Sequence, residues 1–239
     1  MVGFVLVHGG GQGGWTWRQV APHLRATGHD VFTPTLTGFG ERHHLAGPQV
    51  NFRTFVDDIA NLILVEDLRD VVLVGHSMGG AVIPRVAEAV PDRLRRVVWV
   101  TAVVTSDGEN LIQSVPQSPA IARAVKLKAD GIAETDLEAL LDANIHDGTA
   151  EQRQFVRARH RSVYPPHALL EPGRLSAFLA LGLPTGYVVA TEDRTIEPHI
   201  QRGFQAKLPG CRPAAIAAGH QCMNTRAQEL AEILHRLAA

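Results

Sequence analysis

Residues 70–80, Asp70-Val71-Val72-Leu73-Val74-Gly75-His76-Ser77-Met78-Gly79-Gly80, constrain this chain more than any other stretch. The β-branched apolar run predicts a strand buried on both faces, and it breaks directly into Gly-x-Ser-x-Gly. Residues 81–90 then follow with helical spacing. A sharp strand-to-helix turn lifts a serine hydroxyl above the sheet edge, where a base can take its proton and a carbonyl can approach. Glycines on either side of Ser77 give the turn room. The five-residue string alone is common in turns; the strand before it and the helix after it make Ser77 a nucleophile candidate.

Strands and helices alternate around that turn. Residues 2–7 form a short apolar run ending in His8 and the cluster Gly9-Gly10-Gly11-Gln12-Gly13-Gly14, after which Trp17, Val20 and Leu24 recur at helical spacing. The run lacks a basic leader, so it reads as a first strand rather than a signal peptide. Residues 29–34 predict a second strand stopped by Pro34. Phe52, Phe55, Val56, Ile59, Leu62 and Ile63 make the apolar stripe of a helix over residues 51–67. Past the elbow come strands at 94–102 and 185–190, a helix at 198–208, a strand at 212–217 and an amphipathic helix at 226–237.

This rhythm predicts an α/β fold, a doubly wound, mostly parallel sheet of about six strands, with its ligand site at the carboxyl ends of the strands. A single domain spans residues 1–239. Between about 105 and 182 the rhythm breaks into helical patches and prolines (Pro116, Pro119, Pro165, Pro166), with no convincing strand. The core is therefore read as about 1–104 and 183–239, and the break as an inserted helical cap that shapes the pocket.

Charge and cysteine content narrow the partners. With 23 basic and 24 acidic side chains the formal charge is −1, which gives no electrostatic reason for a nucleic acid or an anionic membrane. No apolar stretch approaches the length of a membrane span. Cys211 and Cys222 fit no metal or redox spacing, so no metal and no cofactor are expected, and the chain reads as cytoplasmic. The expected partner is a small, roughly neutral molecule; a homodimer is compatible with the sequence.

A serine needs a base, and the chain has twelve histidines. His220 directly follows the last predicted strand, at the same sheet edge as Ser77. His23, His29, His146, His160, His199 and His235 fall in helices, cap or connections and read as solvated or core imidazoles. His76 lies inside the elbow, pointing away from the Ser77 oxygen, and His8 reads as a brace for the glycine loop. His43 and His44 sit in a loop near the strand ends, within reach of a substrate but reading as a surface pair. The base needs a carboxylate to hold its tautomer. Asp193, after the penultimate strand, gives the order Ser, Asp, His; Asp107 is the runner-up, and Glu192 the lesser of its pair. The oxyanion donors are the Met78 N–H and an N–H from the glycine loop. Gly9-x-Gly11-x-x-Gly14, with Asp30 further on, also satisfies a dinucleotide-binding spacing, a weak signal beside the elbow, acid and histidine.

Taken together, Phe4-Val5-Leu6-Val7-His8-Gly9, Gly13-Gly14-Trp15-Thr16-Trp17, Gly75-His76-Ser77-Met78-Gly79-Gly80, Thr191-Glu192-Asp193 and Gly219-His220 resemble the α/β-hydrolase superfamily. Within it they are most similar to the group of plant hydroxynitrile lyases, plant methylesterases and small bacterial carboxylesterases. The resemblance implies a triad of Ser77, Asp193 and His220, with the backbone N–H groups of Gly10 and Met78 as the oxyanion hole. The group's lyases carry a lysine after the catalytic histidine and a threonine after the first-loop histidine; here those places hold Gln221 and Gly9. Hydrolysis of a small to medium, largely apolar carboxylic ester or lactone through an acyl-enzyme is therefore the leading expectation. The alternatives are a cofactor-free lyase, dioxygenase or cyclase using His220 as base, and a non-catalytic ligand receptor.

Overall fold

In a computed structural model, residues 2–115, 125–127, 133–161, 163–164 and 170–239 are described. Strand β1 (Gly3–Val7) leads through a 3-10 turn (Gly14–Trp17) to α1 (Val20–Ala26) and β2 (Asp30–Phe32). Helix α2 (Phe52–Val65) starts at a capping box in which Asn51 Oδ1 accepts from Thr54 N and Thr54 Oγ1 accepts from Asn51 N. Strand β3 (Val71–His76), α3 (Gly79–Ala89) and β4 (Leu94–Val100) complete the first half. The insert that follows holds α4 (Leu111–Ser114), β5 (Val125–Leu127), β6 (Ala133–Thr135), α5 (Leu137–Asn144), α6 (Ala150–Arg159), β7 (Val163–Tyr164) and α7 (Leu175–Leu179). The chain closes with β8 (Thr185–Ala190), α8 (Pro198–Ala206), β9 (Arg212–Ile216), the short α9 (Cys222–Thr225) and α10 (Ala227–Ala238).

Six strands form one sheet in the order β2-β1-β3-β4-β8-β9, and every pairing in it is parallel. Alternation along β1 shows why both faces are covered: Val5 and Val7 join one apolar cluster with α2, α3 and α8, while Phe4 and Leu6 join the other with α1 and α10. Register aligns the strand ends. Val7 pairs with Gly75, His76 with Val100, Val100 with Val188 and Ala190 with Ile216, so the loops after β1, β3, β4, β8 and β9 emerge along one edge.

The elbow helix contains a proline, and its effect is compensated. Pro84 lacks the N–H that would bond the Gly80 carbonyl, and the Trp99 indole N–H from β4 donates to that oxygen instead at 3.0 Å. The helix is thereby tied to the strand beside the elbow.

The insert is not purely helical. Strands β5, β6 and β7 form a small antiparallel sheet, where no strand is legible in the sequence. Segments of two or three residues are too short to display a period-2 pattern. The proline breaks at Pro116, Pro119, Pro165 and Pro166 lie outside the described residues.

The dinucleotide spacing fails on topology. Asp30 pairs with Gly3, the first residue of β1, whereas the glycine loop leaves the far end of that strand. Five residues of strand put roughly 16 Å between them.

Candidate active site

Ser77 occupies the turn between β3 and α3 with φ of 51°, a left-handed conformation that a side chain adopts at a cost. It is partly exposed, between fully buried neighbours. Its carbonyl accepts from Gly80 N at 3.0 Å and from Val103 N at 3.1 Å, which holds the turn to its own helix and to the segment after β4. Met78 caps α3, so its N–H belongs to the free amides at a helix N-terminus.

The loop after β1 packs directly on the elbow. A Cβ on Gly9 would lie 2.9 Å from Ser77 Cβ and 3.0 Å from His76 Nδ1, so only glycine lets the loop approach this closely. Gly9 N–H donates to Gln12 Oε1 at 3.0 Å, and Gly14 N–H to Thr35 Oγ1 at 2.8 Å. His8 braces the loop as expected. Leu36 N–H donates to its Nε2 at 3.0 Å, so the proton sits on Nδ1, which donates to the Gly9 carbonyl at 2.8 Å. Burial lowers its pKa to about 4, with partial relief from the Gly9 bond, and it is a neutral structural imidazole.

His220 and Asp193, on the loops after β9 and β8, meet in the interior. His220 Nδ1 lies 2.7 Å from Asp193 Oδ2, and both residues are buried. A carboxylate only accepts, so Nδ1–H is the donor, and in the neutral ring this tautomer puts the lone pair on Nε2. Asp193 is saturated: Oδ1 accepts from Thr195 N at 2.7 Å and Ile196 N at 3.0 Å, and Oδ2 also accepts from Gln201 Nε2 at 2.8 Å. Charge-assisted bonds of this kind are the strong ones and hold the carboxylate in one orientation. His76 Nε2–H donates to the His220 carbonyl at 3.0 Å, and the two rings lie 4.8 Å apart. Burial first, then the neighbouring His220, keeps His76 well below the ordinary histidine range.

The competing residues are occupied elsewhere. Asp107 is exposed and accepts from the Ser176 N–H at 3.1 Å and from the Ser176 hydroxyl, bonds that lower its pKa and close the base of the insert. His44 is exposed and His43 half-buried, in the 3-10 turn Gly40–Leu45. His29 and His235 pair with each other at 2.8 Å. His160 is the histidine whose place the sequence did not reveal. Buried at the end of α6, its ring packs beside Gly10 and Gly11, and Arg161 N–H donates to the Gly11 carbonyl at 2.8 Å. Burial lowers its pKa to about 4. Gln201 and Thr195 are absent from the sequence reading, and Gln12 enters it only as a member of the glycine loop, because each acts through a contact that no periodicity encodes. Among the described residues, no three His, Cys, Asp or Glu side chains group as metal ligands.

A family model for the alpha/beta hydrolase family matches residues 4–233. The chain belongs to that family. A carbendazim hydrolyzing esterase of Nocardioides sp. is 34% identical to this α/β-hydrolase over 252 residues, covering 99% of this chain and 100% of the relative. A pyrethroid hydrolase of Sphingobium wenxiniae is 29% identical, covering 96% of this chain and 85% of the relative. Among solved structures, an extracellular α/β-hydrolase from a Paenibacillus species superposes with a TM-score of 0.85 at 24% identity over 99% of both chains, a likeness of fold.

Proposed function

We propose that this α/β-hydrolase is a serine esterase acting on a small to medium, largely apolar carboxylic ester, with Ser77 as nucleophile, His220 as base and Asp193 as the acid that orients it. The observation that carries the reading is the buried 2.7 Å His220–Asp193 bond, which commits Nδ1 to the carboxylate, on the edge where Ser77 stands in its strained turn. In this mechanism Nε2 takes the Ser77 proton as Oγ attacks the carbonyl carbon. The N–H groups of Met78 and Gly10 receive the oxyanion, His220 returns the proton to the leaving alcohol, and water activated by the same imidazole releases the acid. That full-length relatives are a carbendazim hydrolyzing esterase and a pyrethroid hydrolase supports ester cleavage.

Apolar preference is supported by the surroundings of Met78. Met78 lines a crevice with Phe52, Phe55, Val82, Leu111 and Leu175, whose lining also carries the charged Arg85, Glu171 and Arg174. The free volume there is about 10 Å³, one water's worth. The insert acts as a cap over this edge. The lyase branch loses its support at Gln221. Its side chain is buried, accepts from Asn224 Nδ2 at 2.9 Å, and carries no positive charge to hold a departing anion. The free thiols of Cys211 and Cys222 support a cytoplasmic setting, and no helix among the described residues is long and apolar enough to cross a membrane.

The test is a p-nitrophenyl ester series. The wild type turns over short esters, and Ser77→Ala loses several orders of magnitude in kcat. A Ser77→Ala variant within about tenfold of wild type overturns the mechanism.

A further inference from the structure

Asp193 and His220 stand on separate loops, and one turn of the insert holds both. Asn144 is the buried last residue of α5. Its Oδ1 accepts from the Thr195 hydroxyl, and Thr195 is the residue whose amide N–H donates to Asp193. The Asn144 carbonyl accepts from Gln221 N at 2.9 Å. Three residues on, Asp147 Oδ2 accepts from Gly219 N at 3.0 Å and from Thr225 Oγ1 at 2.9 Å.

Gly219 and Gln221 flank His220, so the N–H groups on both sides of the base end on residues 144–147. The His220 carbonyl faces the sheet instead, toward His76 Nε2 at 3.0 Å and Thr101 Oγ1 at 3.4 Å. The backbone carrying the imidazole is thus gripped from the insert and from the sheet. Contact at the insert side is tight: a Cβ on Gly219 would stand 2.7 Å from Asp147 Oδ1 and 3.1 Å from His146 Cε1. Asp147 Oδ1 is itself buried without a hydrogen-bond partner among the described residues.

We propose that Asn144 and Asp147 are positioning residues for the His220–Asp193 pair, so that the insert completes the acid–base machinery as well as covering it. The inference rests on the reading of Ser77 and His220 given above. A base displaced by about 1 Å loses on the order of 10²-fold in rate, and the backbone bonds described here are what prevents that displacement.

The experiment measures kcat and KM on p-nitrophenyl acetate, with active sites counted by fluorophosphonate titration, for Asp147→Ala, Asp147→Asn, Asn144→Ala and Ser77→Ala. Asp147→Ala and Asn144→Ala are expected to lower kcat per titrated site by about 10- to 100-fold with KM within about threefold, the range for a mispositioned catalytic group. Asp147→Asn keeps an acceptor for Gly219 and Thr225 and is expected to recover to within about fivefold. If Asp147→Ala does not fold, Asp147→Ser and Asn144→Ala make the same comparison. Wild-type kcat per site in the folded variants, with or without a loss of titratable sites, overturns the inference, and so does an Asp147→Asn variant as impaired as Asp147→Ala. An active Ser77→Ala instead overturns the nucleophile itself; an inactive Ser77→Ala beside a fully active Asp147→Ala overturns only the positioning role.

Discussion

Replacing Asp193 with asparagine changes one atom, and the surrounding bonds dictate the outcome. The two backbone donors on the Oδ1 side, Thr195 N and Ile196 N, accept no substitute for an oxygen. The new NH₂ group must therefore take the Oδ2 side, facing His220 Nδ1 and Gln201 Nε2. Gln201 cannot turn its amide to help, because its Oε1 accepts from Ala190 N at 3.1 Å and its Nε2 donates to the Ile196 carbonyl at 2.7 Å. His220 is left to respond: Nδ1 becomes an acceptor, the proton moves to Nε2, and the lone pair required by Ser77 is gone. The wrong tautomer costs about 10³- to 10⁴-fold in kcat, or roughly 4–5.5 kcal/mol of transition-state stabilisation, with little change in KM. Steady-state hydrolysis of p-nitrophenyl acetate reads kcat, and circular dichroism with thermal melting shows that the variant is folded. A folded Asp193→Asn enzyme within tenfold of wild type would falsify the tautomer argument.

Two further outcomes follow from the same contacts. His8 is fully buried with its pKa lowered from 6.5 to about 4, so between those values the unfolded chain binds more protons than the folded one. Stability falls as pH drops from about 6.5 to 4, by up to about 3 kcal/mol from this residue, and is unaffected by it above that window. Urea midpoints from pH 7.5 to 4 should therefore decline more steeply for the wild type than for His8→Asn; parallel declines contradict the assignment. Asp107→Asn should keep kcat/KM within about threefold, since its carboxylate serves Ser176 at the base of the insert. A loss of two orders in the ester assay would move the acid role to Asp107.

The sheet was legible because its strands are continuous β-branched runs, as in Val71-Val72-Leu73-Val74 and Val97-Val98-Trp99-Val100, a pattern forced on strands buried on both faces. The candidates Ser77, Asp193 and His220 share a simpler signal: each lies on the loop after a strand, and a parallel sheet brings those loops to one edge, although the strand before His220 is a mostly exposed Arg-Pro-Ala-Ala-Ile. What stayed hidden depends on contacts made across long separations. Asn144 reaches Thr195 over 51 positions and Asp147 reaches Gly219 over 72, and nothing in a helical pattern marks either residue. His160 looked like any imidazole at a helix end until the fold set its ring against Gly11. The small β5–β6–β7 sheet escaped because its strands are two or three residues long.

The central claim is that Ser77 forms the acyl-enzyme, and the direct measurement is covalent capture. Wild-type protein treated with a fluorophosphonate should gain one adduct mass, mapped by peptide mass spectrometry to the segment containing Gly75-His76-Ser77-Met78-Gly79, while Ser77→Ala gains none and hydrolyses no p-nitrophenyl acetate above background. An adduct elsewhere in the chain, or none on an enzyme that turns over the ester, contradicts the account.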